Sequence, residues 1–172
     1  DNGSSAEGLN GTISEQLAQN AIPTTIPQHL EALKELGGLD ALGGPKTDNM
    51  YHAAWAWAGS TPYRSTKLVG AHFGGTRNPM AVSWPRGIKA DPVARPQFHH
   101  VIDIVPTIYE VTKIAPPRVV NGFEQDSFDG VSLVYTFGDA KAKGMRKTQF
   151  FDIMASRGIY RDGWFASAPG PR

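Results

Sequence analysis

The chain has no cysteine among its 172 residues. That excludes disulfides and thiolate-bound metals, and it leaves the redox compartment open, because proteins of either compartment can lack cysteine. No apolar run approaches the roughly 18 residues that would span a bilayer, so a soluble protein with no membrane partner is expected. Neither sign of charge is in excess: 17 Lys and Arg stand against 16 Asp and Glu, spread along the chain. Such a balance provides no field to hold a polyanion, and nucleic acid is not an expected partner. There is no G-x-S-x-G elbow, Walker loop or G-x-G-x-x-G fingerprint, and no nucleophile stands beside an obvious base.

Glycine (19) and proline (13) are plentiful, and they cluster between apolar stretches, which predicts long shaped loops joining short elements. Residues 1–25 are polar and aperiodic and read as a loop. "IPQHLEALKELGG" places Leu30, Leu33 and Leu36 three apart, with Pro27 in the first turn and Gly37 as a stop. A helix over 27–36 with that leucine stripe in the core is predicted. Residues 37–67 read as irregular. "NPMAVSWP" brackets a five-residue apolar run between prolines and predicts a short buried strand. "HHVIDIVPTIYEVTKIAPP" predicts a helix with Pro106 at its first position and Ile108 and Val111 facing inward, ended by Pro116 and Pro117. Near the C-terminus, "TQFFDIMAS" and "GIYRDGWFASA" are β-rich, and Asp162-Gly163 is a two-residue hairpin signal, so a small antiparallel sheet is expected there.

Three places could carry chemistry. Asp1 and Asn2 are hard oxygen donors suited to Ca²⁺ or Mg²⁺, with Gly3 free to turn the backbone beneath the ion. The same dipeptide recurs at Asp48-Asn49, where turn chemistry explains it, and turn chemistry is the alternative at Asp1-Asn2 too. Lys67 lies between a proline turn and the Gly74-Gly75 pair, where an ammonium can meet an anionic sulfate or phosphate oxygen or can simply be solvated. Of the five histidines, His29, His52, His72, His99 and His100, no pair has the i, i+4 spacing of a helical zinc site. His72, beside the glycine pair, is retained as a cleft candidate; His99 and His100 are assigned to packing or capping at a helix entry.

The order of the blocks adds a resemblance. Asp1-Asn2-Gly3, "TPYRSTK", "HFGGTRNPMAVSWP", "HHVIDIVPTIYEVTKI", "FDGVSLVYTF" and "FFDIMASRGIYRDGWFASA" together resemble the C-terminal third of a formylglycine-dependent sulfatase of the large bacterial arylsulfatase type. The likeness covers nearly the whole chain and is most specific over residues 61–85 and 99–112. It implies an α/β fold of the alkaline phosphatase superfamily, with residues 1–118 in the C-terminal part of the catalytic domain. Residues 119–172 would then form a small subdomain with an antiparallel sheet and a helix. It also implies hydrolysis of a sulfate monoester to an alcohol or phenol plus sulfate, at one Ca²⁺ (or Mg²⁺). By the same resemblance Asp1 and Asn2 match two metal ligands, and Lys67 matches a catalytic, substrate-binding lysine on the sulfate and leaving oxygen. His72 is a substrate-binding candidate.

Phe73-Gly74-Gly75 departs from the Glu-Gly-Gly of many sulfatases, so packing is expected to replace an interaction of that glutamate. The formylglycine nucleophile, made from Cys or Ser in a C/S-x-P-x-R motif, is expected in an N-terminal portion outside the chain. With it are expected that motif's arginine, the first two aspartate ligands and the central lysine and histidine. The chain therefore reads as a fragment, inert alone, whose partners are that portion and a sulfate ester. A phosphonate or phosphate monoester hydrolase of the same superfamily and a non-catalytic binding module are the alternatives.

Overall fold

The computed structural model describes residues 3–6, 8, 13, 22–49 and 51–170. These form mixed helix and strand with small antiparallel sheets. Helices are α1 (Ile26–Leu36), α2 (Ala53–Ser60), the single turn α3 (Phe73–Thr76) and α4 (Ile104–Thr112). Strands are β1 (Val119–Val120), β2 (Phe123–Glu124), β3 (Thr148–Ile153), β4 (Ser156–Arg161) and β5 (Trp164–Ala168). Among the described residues no helix is long and apolar enough to cross a membrane.

α1 forms where the leucine spacing places it. Thr25 accepts from Gln28 N at 3.4 Å while its own amide donates to Gln28 Oε1 at 2.8 Å, a reciprocal cap that satisfies two orphan donors. Gly37, at φ 120°, closes the other end. The stripe is not all core: Leu33 is buried, Leu36 half-buried and Leu30 exposed. α2 lies in a stretch expected to be irregular. Its residues AAWAWAGS are apolar on every side, so no period marks them, yet alanine-rich backbone is intrinsically helical. His52 Nδ1 starts the helix by accepting from Ala54 N at 3.0 Å.

The strand expected within residues 79–85 does not form. Val82 and Trp84 are exposed and the backbone there joins no ladder, because proline at either end removes donors that a paired strand needs. α4 begins at Ile104, two residues before Pro106, because the 3₁₀ turn Val101–Asp103 leads into it. It ends at Thr112 with Lys113 in the left-handed conformation, ahead of the two prolines. Its inner face is also different from expectation. Asp103 and Thr107 are buried, Val111 is half-buried, and Ile108 is exposed.

The C-terminal sheet has strand order β3-β4-β5. Asp162-Gly163 makes the expected turn, with φ 46° and 91°, as a two-residue hairpin with native twist requires. Met154-Ala155 makes the other, with φ 49° and 64°, at residues that carry no turn signal. A further hairpin, β1-β2, pairs Val119 with Glu124 and Val120 with Phe123 around Asn121-Gly122.

The chain divides into two compact units. The first is Asp1–Met80 with Phe150–Ile159 and Phe165–Arg172; the second is Ala81–Gln149 with Tyr160–Trp164. Within the second unit, the Asp103 carboxylate is fully buried and accepts from Val131 N at 2.7 Å, His100 N at 2.9 Å and Arg146 Nε at 3.1 Å. Arg146 Nη2 also bonds its other oxygen. The same arginine reaches Gln149 Oε1 at 3.0 Å and the Asp129 carbonyl at 3.1 Å. Thr107 Oγ1 accepts from Leu133 N at 2.8 Å, so the start of α4 is fixed to residues 129–133 by polar contacts instead of an aliphatic stripe. Burial alone would raise the Asp103 carboxyl, but the Arg146 guanidinium and the two amides outweigh it and hold it below the usual carboxylate range.

Candidate functional site

The first unit contains the loop on which Lys67 and His72 lie. Residues 64–78 fold back on themselves: Gly74 N donates to Arg64 O at 2.9 Å, Gly75 N to His72 O at 2.9 Å and Arg77 N to Phe73 O at 2.7 Å. The glycine pair is required by this closure. A Cβ at Gly74 would run into the carbonyls of Ser65 and Arg64, and one at Gly75 into those of Val69 and Thr66. The loop is moored to β4 by Ala71 N, which donates to Ser156 Oγ at 3.0 Å.

Both ends of this loop meet the short stretch Gly3-Ser4. Lys67 N donates to Ser4 O at 2.9 Å. A Cβ on Gly3, whose φ is 95°, would lie 2.9 Å from Asn78 Oδ1. α2 closes over the same stretch, since a Cβ on Gly59 would lie 2.6 Å from Ser4 Oγ, and Ala56 on that face is fully buried. The backbone immediately after Asp1-Asn2 is thus held beside Lys67.

Lys67 is half-buried. His72 is half-buried as well, but what it contributes within the loop is backbone: it precedes α3, and its carbonyl accepts from Gly75 N and from Thr76 Oγ1 at 3.2 Å. Asp1 and Asn2 lie outside the described residues. Among the described residues no group of three or more His, Asp or Glu side chains is gathered as a metal site. Asp48-Asn49 behaves as a turn: Asn49 Oδ1 accepts from Gly43 N at 3.1 Å.

Phe73 packs among aromatic neighbours. Its ring meets Tyr63 edge-on at 5.7 Å and Phe165 at 4.9 Å, and the Arg77 guanidinium lies 5.8 Å from its centroid and 5.0 Å from that of Tyr63. The guanidinium charge is thus set against two aromatic faces.

One motif escaped the sequence reading. Ser60-Thr61-Pro62-Tyr63-Arg64 spells S-x-P-x-R. Its serine is the last residue of α2, where the unpaired carbonyls concentrate negative charge, and its own carbonyl accepts from Tyr63 N at 2.8 Å. That is an unfavourable position for a group that must receive a sulfate, and no nucleophile is assigned there.

The histidines of the second unit have packing roles. His99 Nδ1 lies 3.5 Å from Asp103 Oδ2, and its ring neighbours Tyr135 at 5.8 Å. His100 precedes the 3₁₀ turn, with its Nδ1 3.5 Å from Ile102 N. Burial, the largest effect on each, pushes both imidazoles down. The second unit also has a cleft of about 360 Å³ lined by Gln97, Phe98, Lys141, Arg146 and Tyr160, among others. Its arginine is already engaged with Asp103, and Phe98 and Tyr160 stack on each other at 3.8 Å. No protein-family model matches the chain, and no curated protein matches it.

Proposed function

We propose that the chain supplies part of the active site of a sulfuric ester hydrolase of the arylsulfatase type, in the setting of an alkaline phosphatase-like fold. The observation that carries this reading is the 2.9 Å hydrogen bond from Lys67 N to Ser4 O, which joins the lysine loop to the backbone that follows Asp1-Asn2. An ammonium group and a pair of hard oxygen donors are the complementary halves of an oxyanion site. The first neutralises a sulfate oxygen and the leaving oxygen; the second holds a cation on the opposite side.

The donor set fits a hard cation in part. A carboxylate and an amide oxygen suit Ca²⁺, and Gly3, at φ 95°, lets the chain leave the ligands sharply. Ca²⁺ takes about six to eight oxygens, so two from Asp1 and Asn2 must be completed by others, and the formylglycine nucleophile is likewise supplied from outside these residues. When bound, the ion polarises the sulfate. Lys67 contributes a compact ammonium that bears charge developing on the leaving oxygen. The glycine-locked loop fixes its backbone in advance, so little reorganisation is needed as that charge appears.

The test is a comparison of 4-nitrophenyl sulfate and 4-nitrophenyl phosphate as substrates, with the chain joined to its nucleophile-bearing portion. A higher kcat/KM on the sulfate supports the reading. A preference for the phosphate moves the assignment to the phosphate and phosphonate hydrolases of the superfamily, and inactivity on both leaves a binding module.

A further inference from the structure

The cleft of about 360 Å³ in the second unit is built from three stretches of chain, residues 96–98, 141–147 and 160–163. Polar contacts fasten them to one another. Gln97 Nε2 donates to the carbonyls of Ala140 at 3.1 Å and Ala142 at 2.8 Å, and Asp162 N donates to Lys147 O at 2.9 Å. Phe98 and Tyr160, both half-buried, complete the joint by stacking at 3.8 Å and 9°. Such a stack covers one face of each ring and leaves the edges and outer faces to meet another planar group. The walls are therefore held in place before any ligand arrives, and the volume falls within the range of about 300–1,000 Å³ usual for small-molecule sites.

The polar lining is mainly cationic. The Arg146 side chain is only 7% exposed, and its Nη1 bonds Gln149 Oε1 alone, so one N–H group of that nitrogen has no acceptor among the described residues. Lys141 and Lys147, both exposed, pair with no carboxylate among the described residues. Because Asp103 balances Arg146, the two lysines against Asp162 leave one positive charge in excess along the cleft. Unpaired cationic donors favour an oxyanion, and a stacked aromatic pair favours a flat ring. We propose that this cleft is a binding site for a small aromatic carboxylate, a planar monoanion. Its ring lies against Phe98 and Tyr160, and its charge is met by Lys141, Lys147 and the remaining Arg146 N–H.

The experiment is an NMR titration of the full chain with benzoate, acetate and benzyl alcohol. Benzoate should shift the amides of Phe98, Gly144, Lys147, Tyr160 and Gly163. It should bind about tenfold more tightly than acetate, which lacks the ring, and than benzyl alcohol, which lacks the charge. Lys141→Gln and Lys147→Gln together should weaken benzoate about tenfold and leave benzyl alcohol unchanged. The urea midpoint of that double variant should not move, since both side chains are exposed. Arg146 is kept intact because it holds the unit together. Benzoate that moves none of those amides overturns the proposal. So does benzoate bound no more tightly than either comparison probe, or bound undiminished by the double lysine variant.

Discussion

Replacing Arg146 by methionine tests whether the second unit depends on one buried polar cluster. In the folded chain the guanidinium makes two bonds to Asp103, one to Gln149 and one to the Asp129 carbonyl. Methionine fills much of the volume and makes none of them. Asp103 then keeps the amides of His100 and Val131 as donors, with the His99 Nδ1 3.5 Å away and no exposure to water. Hydrogen bonds to a charged group contribute about 1.5–3 kcal/mol each, and breaking a buried ion pair from one side costs about 3–5 kcal/mol. Protonation of the stranded carboxyl offsets part of the loss, so about 3 kcal/mol at pH 7 is expected, a large share of the roughly 5–15 kcal/mol that stabilises a typical domain. Urea unfolding followed by circular dichroism reads the loss directly. In a cycle with Asp103→Asn the two changes should be coupled by about 2 kcal/mol, because residues sharing one network are not additive. A loss below about 1 kcal/mol for Arg146→Met, without coupling, would refute the view that this pair organises the unit.

Three further outcomes are expected. His99 and His100 are pushed down by burial, so on acidification the unfolded chain takes up protons first; stability should decline from about pH 6.5 downward, as urea midpoints at pH 7 and 5 would reveal. The depressed Asp103 carboxyl adds a second loss: its contribution is present above its unfolded pKa of about 3.9 and disappears as pH falls through the lower folded value. Ala155 is exposed at φ 64°, so Ala155→Gly should stabilise the chain by about 0.5–1 kcal/mol, less strain outweighing the extra backbone entropy, as thermal unfolding would show. Under the proposed ligand assignment, Asp1→Ala in the complete hydrolase should abolish Ca²⁺ binding measured by calorimetry; full stoichiometry in the variant would remove Asp1 from the ligand set.

What could be read from the residues was local and strongly signalled. α1 has a cap, a period and a glycine stop within one short window, and Asp162-Gly163 admits few conformations. α2 was hidden because a helix of alanine and tryptophan has no polar face to reveal its period. Met154-Ala155 was hidden because neither residue favours the left-handed region into which the flanking strands force it. The buried face of α4 was misread because its contacts are polar: an aspartate and a threonine are chosen there by partners distant in sequence, Arg146 and Leu133. The site divides similarly. Lys67 stood out from its position between a proline and a glycine pair, whereas its bond to Ser4 runs through backbone atoms common to every residue and leaves no mark on the sequence.

The proposed role of Lys67 is most directly tested by the kinetics of Lys67→Ala on 4-nitrophenyl sulfate, with the chain joined to a nucleophile-bearing sulfatase portion. Loss of a contact made to charge that develops in the transition state should lower kcat and kcat/KM together by about 10²–10³, with the urea midpoint of the chain little changed. Unchanged kcat, or a fall in kcat matched by loss of the fold, would contradict a role for Lys67 in the chemistry.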